Sequence, residues 1–167
     1  VIPEYKTPGA AGFDLVAAET VIIAPGERKL VPTGLAVEIP YGFELQVRPR
    51  SGVSLKTALR VANSPGTIDS DYRGEVCVIL ENGRTEDNPK DQLFYSKYML
   101  RDINGIAKHH TKFGVDAPED AGCYIIHKGD RIAQGVIVPV FRAEFEEVDE
   151  LSETERGAGG FGSTGMK

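Results

Sequence analysis

Apolar and polar residues alternate in short runs along most of the chain, and Gly and Pro separate these runs at short intervals. Residues 43–47, Phe-Glu-Leu-Gln-Val, alternate strictly, which is typical of a half-buried β-strand. Residues 76–80, Val-Cys-Val-Ile-Leu, are all apolar and predict a central strand of the core. The same criteria predict further strands or strand pairs at 12–19, 21–25, 27–40, 124–126 and 132–141.

Turn residues indicate how these strands connect. Pro32-Thr-Gly34 predicts a turn that divides 27–40 into two strands, and residues 127–130 predict another turn. One helical turn is expected at 54–59, with Ser54 as its N-cap. Short strands with frequent turns predict an all-β barrel or sandwich.

Two segments depart from this pattern. Residues 81–122 are long and polar, with an apolar patch at 93–95 and 98–100, and connections beyond about 12–15 residues are usually functional or disordered. Their aromatic content favours a folded excursion, such as a hairpin. Residues 152–167 are rich in glycine and should be mobile without a ligand. We therefore expect one β-barrel domain at 1–151, an excursion at about 81–122 and a flexible C-terminal arm at 152–167.

Composition narrows the class of protein. With 167 residues, of which 41% are hydrophobic, the chain can bury a sizeable core. A net charge of −6 argues against binding to duplex nucleic acid, which needs a basic face, but allows a single nucleotide. Cys77 and Cys123 form no CxxC pattern, so we expect no disulfide and a cytoplasmic location. No stretch approaches the roughly 20 apolar residues of a membrane span. The chain starts at Val1 without a Met, and we expect residues to precede it.

The stretch from Asn63 to Glu75 carries the most candidate chemistry. Pro65-Gly66 predicts a tight turn of a hairpin. Residues two apart on an extended strand share a face, so Asp69 and Asp71 are expected to point the same way. Such a hairpin could bind a planar ligand through its backbone edge and activate a water. From these residues alone, a polar turn with solvated aspartates is the simpler alternative.

Two further stretches have groups that suit phosphate. In 48–54, Arg-Pro-Arg-Ser-Gly-Val-Ser, the planar guanidinium of Arg gives bidentate contacts, and Ser51 and Gly52 add donors. In 156–165, glycine amides can surround a phosphate while Arg156 adds charge, although the P-loop pattern is absent. An ordinary basic turn and an unstructured tail are the respective alternatives. Adjacent histidines at 109 and 110 point apart and predict no metal site.

Five motifs together resemble those of the trimeric dUTPases, in the family's order. They are A-G-F-D-L at 11–15, P-R-S-G at 49–52, N-x-x-G-x-I-D-x-D-Y-R-G-E at 63–75, G-D-R-I-A-Q at 129–134 and R-G-A-G-G-F-G-S-T-G at 156–165. The resemblance implies a distorted jelly-roll β-barrel with one short helix, and a homotrimer that shares its active sites. It also implies hydrolysis of dUTP to dUMP and pyrophosphate, which keeps uracil out of DNA and supplies dUMP for thymidylate synthesis.

The resemblance also implies a role for each motif residue. Asp69 would be the general base. Asp14 would be a catalytic residue that contacts Mg²⁺ through water, while the substrate phosphates would bind the ion directly. Arg131 is not assigned to catalysis and is expected to form an ion pair between subunits. The residues implied for the base and sugar are Asn63, Gly66, Thr67, Ile68, Tyr72 and Phe161. Those implied for the phosphates are Arg50, Ser51, Gly52, Gln134, Arg156, Gly162, Ser163 and Thr164.

Two alternatives remain open at this point. A dCTP deaminase relative would have the same fold, although its usual glutamate-centred motif is missing here. The excursion resembles the insert of certain bacteriophage dUTPases, so the protein could also be a dUTPase that binds a regulatory protein through its insert. A phage source would make the location the host cytoplasm.

Overall fold

A computed structural model describes residues 2–84, 99–109 and 122–160 of the chain. Within them the backbone forms one short helix and many short strands. In chain order the elements are β1 (Phe13–Val16), β2 (Val21–Ile23), β3 (Arg28–Leu35), β4 (Phe43–Pro49), α1 (Ser51–Lys56), β5 (Leu59–Val61), β6 (Gly66–Ile68), β7 (Val76–Asn82), β8 (Met99–Arg101), β9 (Ala107–His109), β10 (Tyr124–Ile126) and β11 (Arg131–Pro139). The all-β class with one short helix is confirmed.

The strands form three sheets. Sheet A has the order β1-β11-β4-β6, sheet B the order β2-β10-β8-β9, and sheet C the order β3-β7-β5. The pairs are antiparallel except β8 with β10, which run parallel. All three sheets contribute to one main core cluster, which includes Leu15, Ile23, Val31, Leu45, Val78, Ile126 and Ile132.

The hydrophobic pattern correctly predicted the two strands that it marked most strongly. In β4, Leu45 and Val47 are buried while Glu44 and Gln46 are partly exposed, as strict alternation requires. Strand β7 pairs with β3 on one side and β5 on the other, so it is a central strand. Its burial nevertheless alternates, because only one of its faces packs on the core.

The predicted position of the helix is wrong. The helix begins at Ser51 rather than at Ser54, Arg50 is its N-cap, and no side chain caps it. Ser54 lies inside, where its N–H donates to the Arg50 carbonyl at 3.0 Å. Burial of Val53 decides the start, and this tertiary contact outweighs the capping preference of Ser54. Leu59, predicted to end the helix, begins β5 instead.

The predicted turn at Pro32-Thr-Gly34 is also wrong. Strand β3 is continuous from Arg28 to Leu35, and the three residues form an irregularity in its pairing with β7. The buried Thr33 hydroxyl donates to the Val76 carbonyl, and the Gly34 N–H donates to Glu75 at 2.6 Å. These bonds to β7 and the residue before it keep the chain on its neighbour, so it does not fold back.

The predicted hairpin around Pro65-Gly66 is not a pair of bonded strands. The flanking strands belong to different sheets, because β5 pairs with β7 and β6 pairs with β4. The turn therefore links sheet C to sheet A. The two faces of β6 differ, since Thr67 is exposed and Ile68 packs against the core.

Part of the excursion is described, and it is a hairpin, as predicted. Strands β8 and β9 pair antiparallel, and β8 joins β10. Ile103, between them, belongs to the main core cluster. Of the predicted apolar patch at 93–95 and 98–100, residues 93–95 and 98 and the side chains of 99 and 100 lie outside what the structure describes. Within the described parts of the chain, no helix has the length and apolar composition needed to cross a membrane.

Candidate active site

Sheet A carries residues of four of the five motifs, and three of these motifs meet at one end of the sheet. Asp14 on β1 lies opposite Gln134 on β11, and Gln134 lies opposite Arg48 on β4. Paired residues of neighbouring antiparallel strands share a face. Helix α1 follows β4 directly, so Ser51 and Gly52 lie at the same end of the sheet. We call Asp14, Arg50, Ser51, Gly52 and Gln134 the phosphate-site residues.

Asp14 holds two arginines in place, Arg50 of the phosphate-site residues and Arg131 on β11. Its carboxylate is only 10% exposed, and Arg50 Nε donates to Oδ1 at 2.9 Å. Arg131 Nη1 donates to Oδ2 at 3.3 Å. Arg50 Nη1 also donates to the Arg131 carbonyl at 3.3 Å. Both Asp14 oxygens thus accept from guanidinium groups of the same chain. The expected ion pair of Arg131 between subunits stays a prediction.

Ser51 and Gly52 stand at the open start of α1. Both residues are exposed, and their N–H groups precede the first intrahelical bond, which Ser54 makes. A Cβ added at Gly52 would meet nothing within 4 Å. An anion can therefore approach these donors directly.

The residues implied for the base lie on and around β6. The Asn63 amide covers Gly66, where an added Cβ would lie 3.1 Å from Nδ2. Gly66 is buried against Val47, so the position has no room for a side chain. Strand β6 is an edge strand of sheet A, which leaves one backbone edge unpaired within that sheet. The structure thus brings Asn63 beside the backbone of Gly66, at the start of this edge.

Tyr72 closes the turn that follows β6. Its N–H donates to the Asp69 carbonyl at 3.2 Å, and its hydroxyl donates to the Glu75 carbonyl at 3.1 Å. The ring lies over Gly74, where an added Cβ would overlap it. Tyr72 remains 44% exposed, so part of the ring is accessible. Asp71 lies in this turn and not on an extended strand, so the predicted reason for a shared face with Asp69 does not apply.

Asp69 and Asp71 nevertheless line one cavity of about 450 Å³. Strand pairing of Ile68 with Leu45 brings Glu44 next to Asp69. The Arg142 guanidinium lies 5.1 Å from the centre of the Tyr41 ring at the cavity wall. Sequence reasoning missed Tyr41, Glu44 and Arg142, because the register of β4 against both β6 and β11 brings them to this cavity.

Within one chain, Asp69 does not meet the phosphate-site residues. Asp69 lies beside the start of β4, and Arg50 follows its end. The six residue steps from Glu44 to Arg50 span about 20 Å of strand. A water activated at Asp69 therefore cannot attack a phosphate held at Arg50 of the same chain.

The described part of the arm ends before most of its predicted contacts. Arg156 is exposed, and its Nε donates to the Gly159 carbonyl at 2.8 Å. Phe161, Gly162, Ser163 and Thr164 lie outside the described residues. Among the residues that are described, no group of three or more His, Cys, Asp or Glu side chains could hold a metal ion.

The fold and these residues define a class: an all-β protein whose exposed arginine, serine and glycine groups suit a phosphate-bearing ligand. A family model described as dUTPase matches residues 1–88 and 121–165. The internal residues that the family model leaves unmatched, 89–120, fall inside the predicted excursion. The chain belongs to the dUTPase family.

Curated relatives and solved structures agree with this membership. The chain is 49% identical to deoxyuridine 5'-triphosphate nucleotidohydrolase of Nautilia profundicola, over 99% of this chain and 91% of the relative. The enzyme of that name from Caulobacter vibrioides is 44% identical, over 99% of this chain and 86% of the relative.

Among solved structures, the chain is similar to a Staphylococcus bacteriophage 80alpha dUTPase mutant with dUpNHpp. The TM-score is 0.85 with 36% identity, over 99% of this chain and 92% of that one. The dUTPase of phage phi11 of S. aureus, described as showing its species-specific insert, has a TM-score of 0.77 with 33% identity over 92% of each chain.

Proposed function

We propose that the protein hydrolyses dUTP to dUMP and pyrophosphate. Family membership carries this proposal, because relatives at 44–49% identity over nearly the whole chain bear the name deoxyuridine 5'-triphosphate nucleotidohydrolase. The two groups of residues on sheet A support it. One offers exposed donors for phosphates, and the other offers a carboxylate in a cavity beside an unpaired strand edge.

In the proposed reaction, Asp69 is the general base. It takes a proton from a water that attacks the α-phosphorus in line, and pyrophosphate leaves. Arg50, Ser51 and Gln134 bind the phosphates and offset the charge that develops on the leaving group. Asp14 acts through Arg50, because its carboxylate fixes the direction of that guanidinium. This contact favours a positioning role for Asp14.

The proposed specificity comes from β6 and its surroundings. The unpaired backbone edge from Gly66 to Ile68 and the Asn63 amide hydrogen-bond the edge of uracil. The amino group of cytosine would face donors there and leave buried polar groups unpaired, which is costly. The accessible part of Tyr72 packs on the deoxyribose where a ribose hydroxyl would lie.

Mg²⁺ is the proposed metal. The described residues suit an ion held mainly by the substrate's phosphates, because no cluster of three protein ligands occurs among them. Asp14 would contact such an ion through its bound water, and the ion would offset phosphate charge. A relative, phage phi11 dUTPase, is described with a structural Mg(II) ion.

A homotrimer with shared sites is the proposed assembly. The separation of about 20 Å between Asp69 and Arg50 supports it, because a neighbouring copy can supply the missing half of each site. The arm at 152–167 would close over the nucleotide, with Arg156, Ser163 and Thr164 at the phosphates, Gly162 beside them and Phe161 on the uracil. The core domain at 1–151 and the arm remain proposed divisions of the chain.

A regulatory role of the excursion is a second proposal. Phage 80alpha dUTPase, a relative of similar fold, is described as controlling transfer of virulence genes by a proto-oncogenic G protein-like mechanism. A partner captured by the whole protein, but not by a variant whose excursion surface is altered, would support such a role. We also propose a cytoplasmic location, which agrees with two cysteines that form no disulfide.

Replacement of Asp69 by Asn tests the proposed activity. We expect the wild-type protein to release pyrophosphate from dUTP and no ammonia from dCTP. Asp69→Asn should bind dUTP but hydrolyse it at least about 100-fold more slowly. Asp71→Asn, which changes a carboxylate of the same cavity, is the matched control and should stay within about tenfold of the wild type. Near-normal turnover by Asp69→Asn would assign the base to Asp71 or Asp14.

A further inference from the structure

The turn of the excursion hairpin packs against the end of α1. Gly105 lies in this turn with φ +76°, and an added Cβ would overlap the carbonyl oxygen of Lys56, the last residue of the helix. The same Cβ would lie 3.8 Å from Cγ2 of Thr57. The backbone of the turn thus rests on the segment that ends the helix.

The turn itself is rigid. Asp102 is buried, and its Oδ1 accepts from the N–H groups of Asn104 at 2.9 Å and Ile106 at 3.0 Å. The Gly105 N–H donates to the Asp102 carbonyl at 2.8 Å. Ile103 anchors the turn in the main core. A turn fixed on both sides in this way can transmit a displacement to what it touches.

The helix, by contrast, is short and depends on outside contacts. It has six residues, and only Val53 is buried. Directly after it, the Ala58 N–H donates to the Tyr124 hydroxyl at 2.9 Å. Arg84, near the start of the excursion, donates to the same hydroxyl at 3.3 Å. Tyr124, just after the excursion, therefore binds the segment that follows the helix, and Arg84 binds the same Tyr124 hydroxyl. The hairpin turn contacts the end of the helix itself.

We propose that the hairpin turn at 101–106 positions α1, and through it the phosphate donors Ser51 and Gly52. This inference rests on the proposed function of those two residues in binding the triphosphate. A helix of six residues has too few internal bonds to keep its start fixed when its end moves. Displacement of the turn should weaken contacts to the β- and γ-phosphates, while contacts to the base, about 20 Å away along the sheet, stay unchanged.

The test compares Gly105→Ala with Gly26→Ala. Gly26 has φ +71°, so an alanine there meets the same backbone strain, but its Cβ would meet nothing within 4 Å. Competitive inhibition constants are measured for dUpNHpp and for dUMP, which lacks the two outer phosphates. We expect Gly105→Ala to raise the inhibition constant of dUpNHpp about tenfold and that of dUMP less than about twofold. Gly26→Ala should leave both inhibition constants unchanged, although it should lower the melting temperature about as much as Gly105→Ala does.

A second variant covers the case in which Gly105→Ala does not fold. Asp102→Ala removes the acceptor that fixes the turn without adding bulk, and should shift the ratio of the two constants in the same direction. If both inhibitors weaken equally, or if Gly105→Ala matches Gly26→Ala, the inference is wrong. A wild-type protein that fails to hydrolyse dUTP would instead overturn the proposed function.

Discussion

Two inactive single variants are expected to restore dUTP hydrolysis when they are mixed. Asp69→Asn should lose at least about 100-fold in turnover. Arg50→Ala loses a charge-assisted bond to phosphate, worth roughly 1.5–3 kcal/mol, and should fall roughly 10- to 100-fold. If Asp69 and Arg50 serve the same site from different copies, an assembly that contains both variants has some intact sites.

The expected size of the recovery follows from the separation of the two residues. A site is intact when one copy carries Asp69 and its neighbour carries Arg50. In randomly mixed rings made from equal amounts of both variants, this occurs at about a quarter of the sites. A quarter of the wild-type rate stands clearly above either variant alone.

The assay unfolds both variants in denaturant, refolds them together and follows pyrophosphate release from dUTP. The two variants mixed without unfolding serve as the control for subunit exchange. A second control refolds wild type with the double variant. Shared sites should leave about a quarter of the rate there, whereas sites within one chain would leave about half. A refolded mixture of the single variants no more active than their average would refute the shared site.

Three further predictions concern Tyr72, the C-terminal arm and the two cysteines. Tyr72→Ala should let UTP compete with dUTP, since the ring no longer blocks a ribose hydroxyl, and an unchanged preference in steady-state kinetics would contradict that role. A chain that ends at Glu155 should keep the melting temperature and the oligomeric state of the whole protein. Its kcat should fall steeply, because the arm can no longer close over the nucleotide. Full single-turnover rates would make the arm a passive extension. Burial and then the charge of Glu75 raise the pKa of the Cys77 thiol, and Cys123 is fully buried. Native protein should therefore react slowly with a thiol reagent at pH 8, because little thiolate is present, and denatured protein should show two free thiols; rapid labelling of the native chain would contradict this.

Local patterns predicted the elements whose burial repeats along the chain. The alternation of β4 and the apolar run of β7 both mark faces that pack on the core, so periodicity was sufficient. The bulge at Pro32-Thr-Gly34 was not predictable in this way, because its bond from Thr33 to Val76 joins residues far apart in sequence. The start of α1 likewise depends on where Val53 meets the core.

The candidate site divides along the same line. Asp14, Asp69 and the residues of the other motifs are candidates that the sequence supplies, because their types and spacing match the motifs of the family. The sequence could not predict which of these residues lie close together. That depends on the strand order of sheet A, which places Asp14 beside Gln134 and leaves Asp69 at the far end of β4. The ion pair of Arg131 with Asp14 follows from that same order.

The buried amide of Asn82 explains how this fold can accept extra chain between β7 and β10. Its Nδ2 donates to the Ile23 carbonyl at 3.1 Å and to the Gly122 carbonyl at 2.9 Å, so the residues that flank the excursion are fastened to each other. When the ends of a loop already meet, each doubling of its length costs only about 0.6 kcal/mol. Chain of different length or sequence can thus be inserted between Asn82 and Gly122 while the two residues stay in contact. A protein engineer could use the same position to insert a foreign domain.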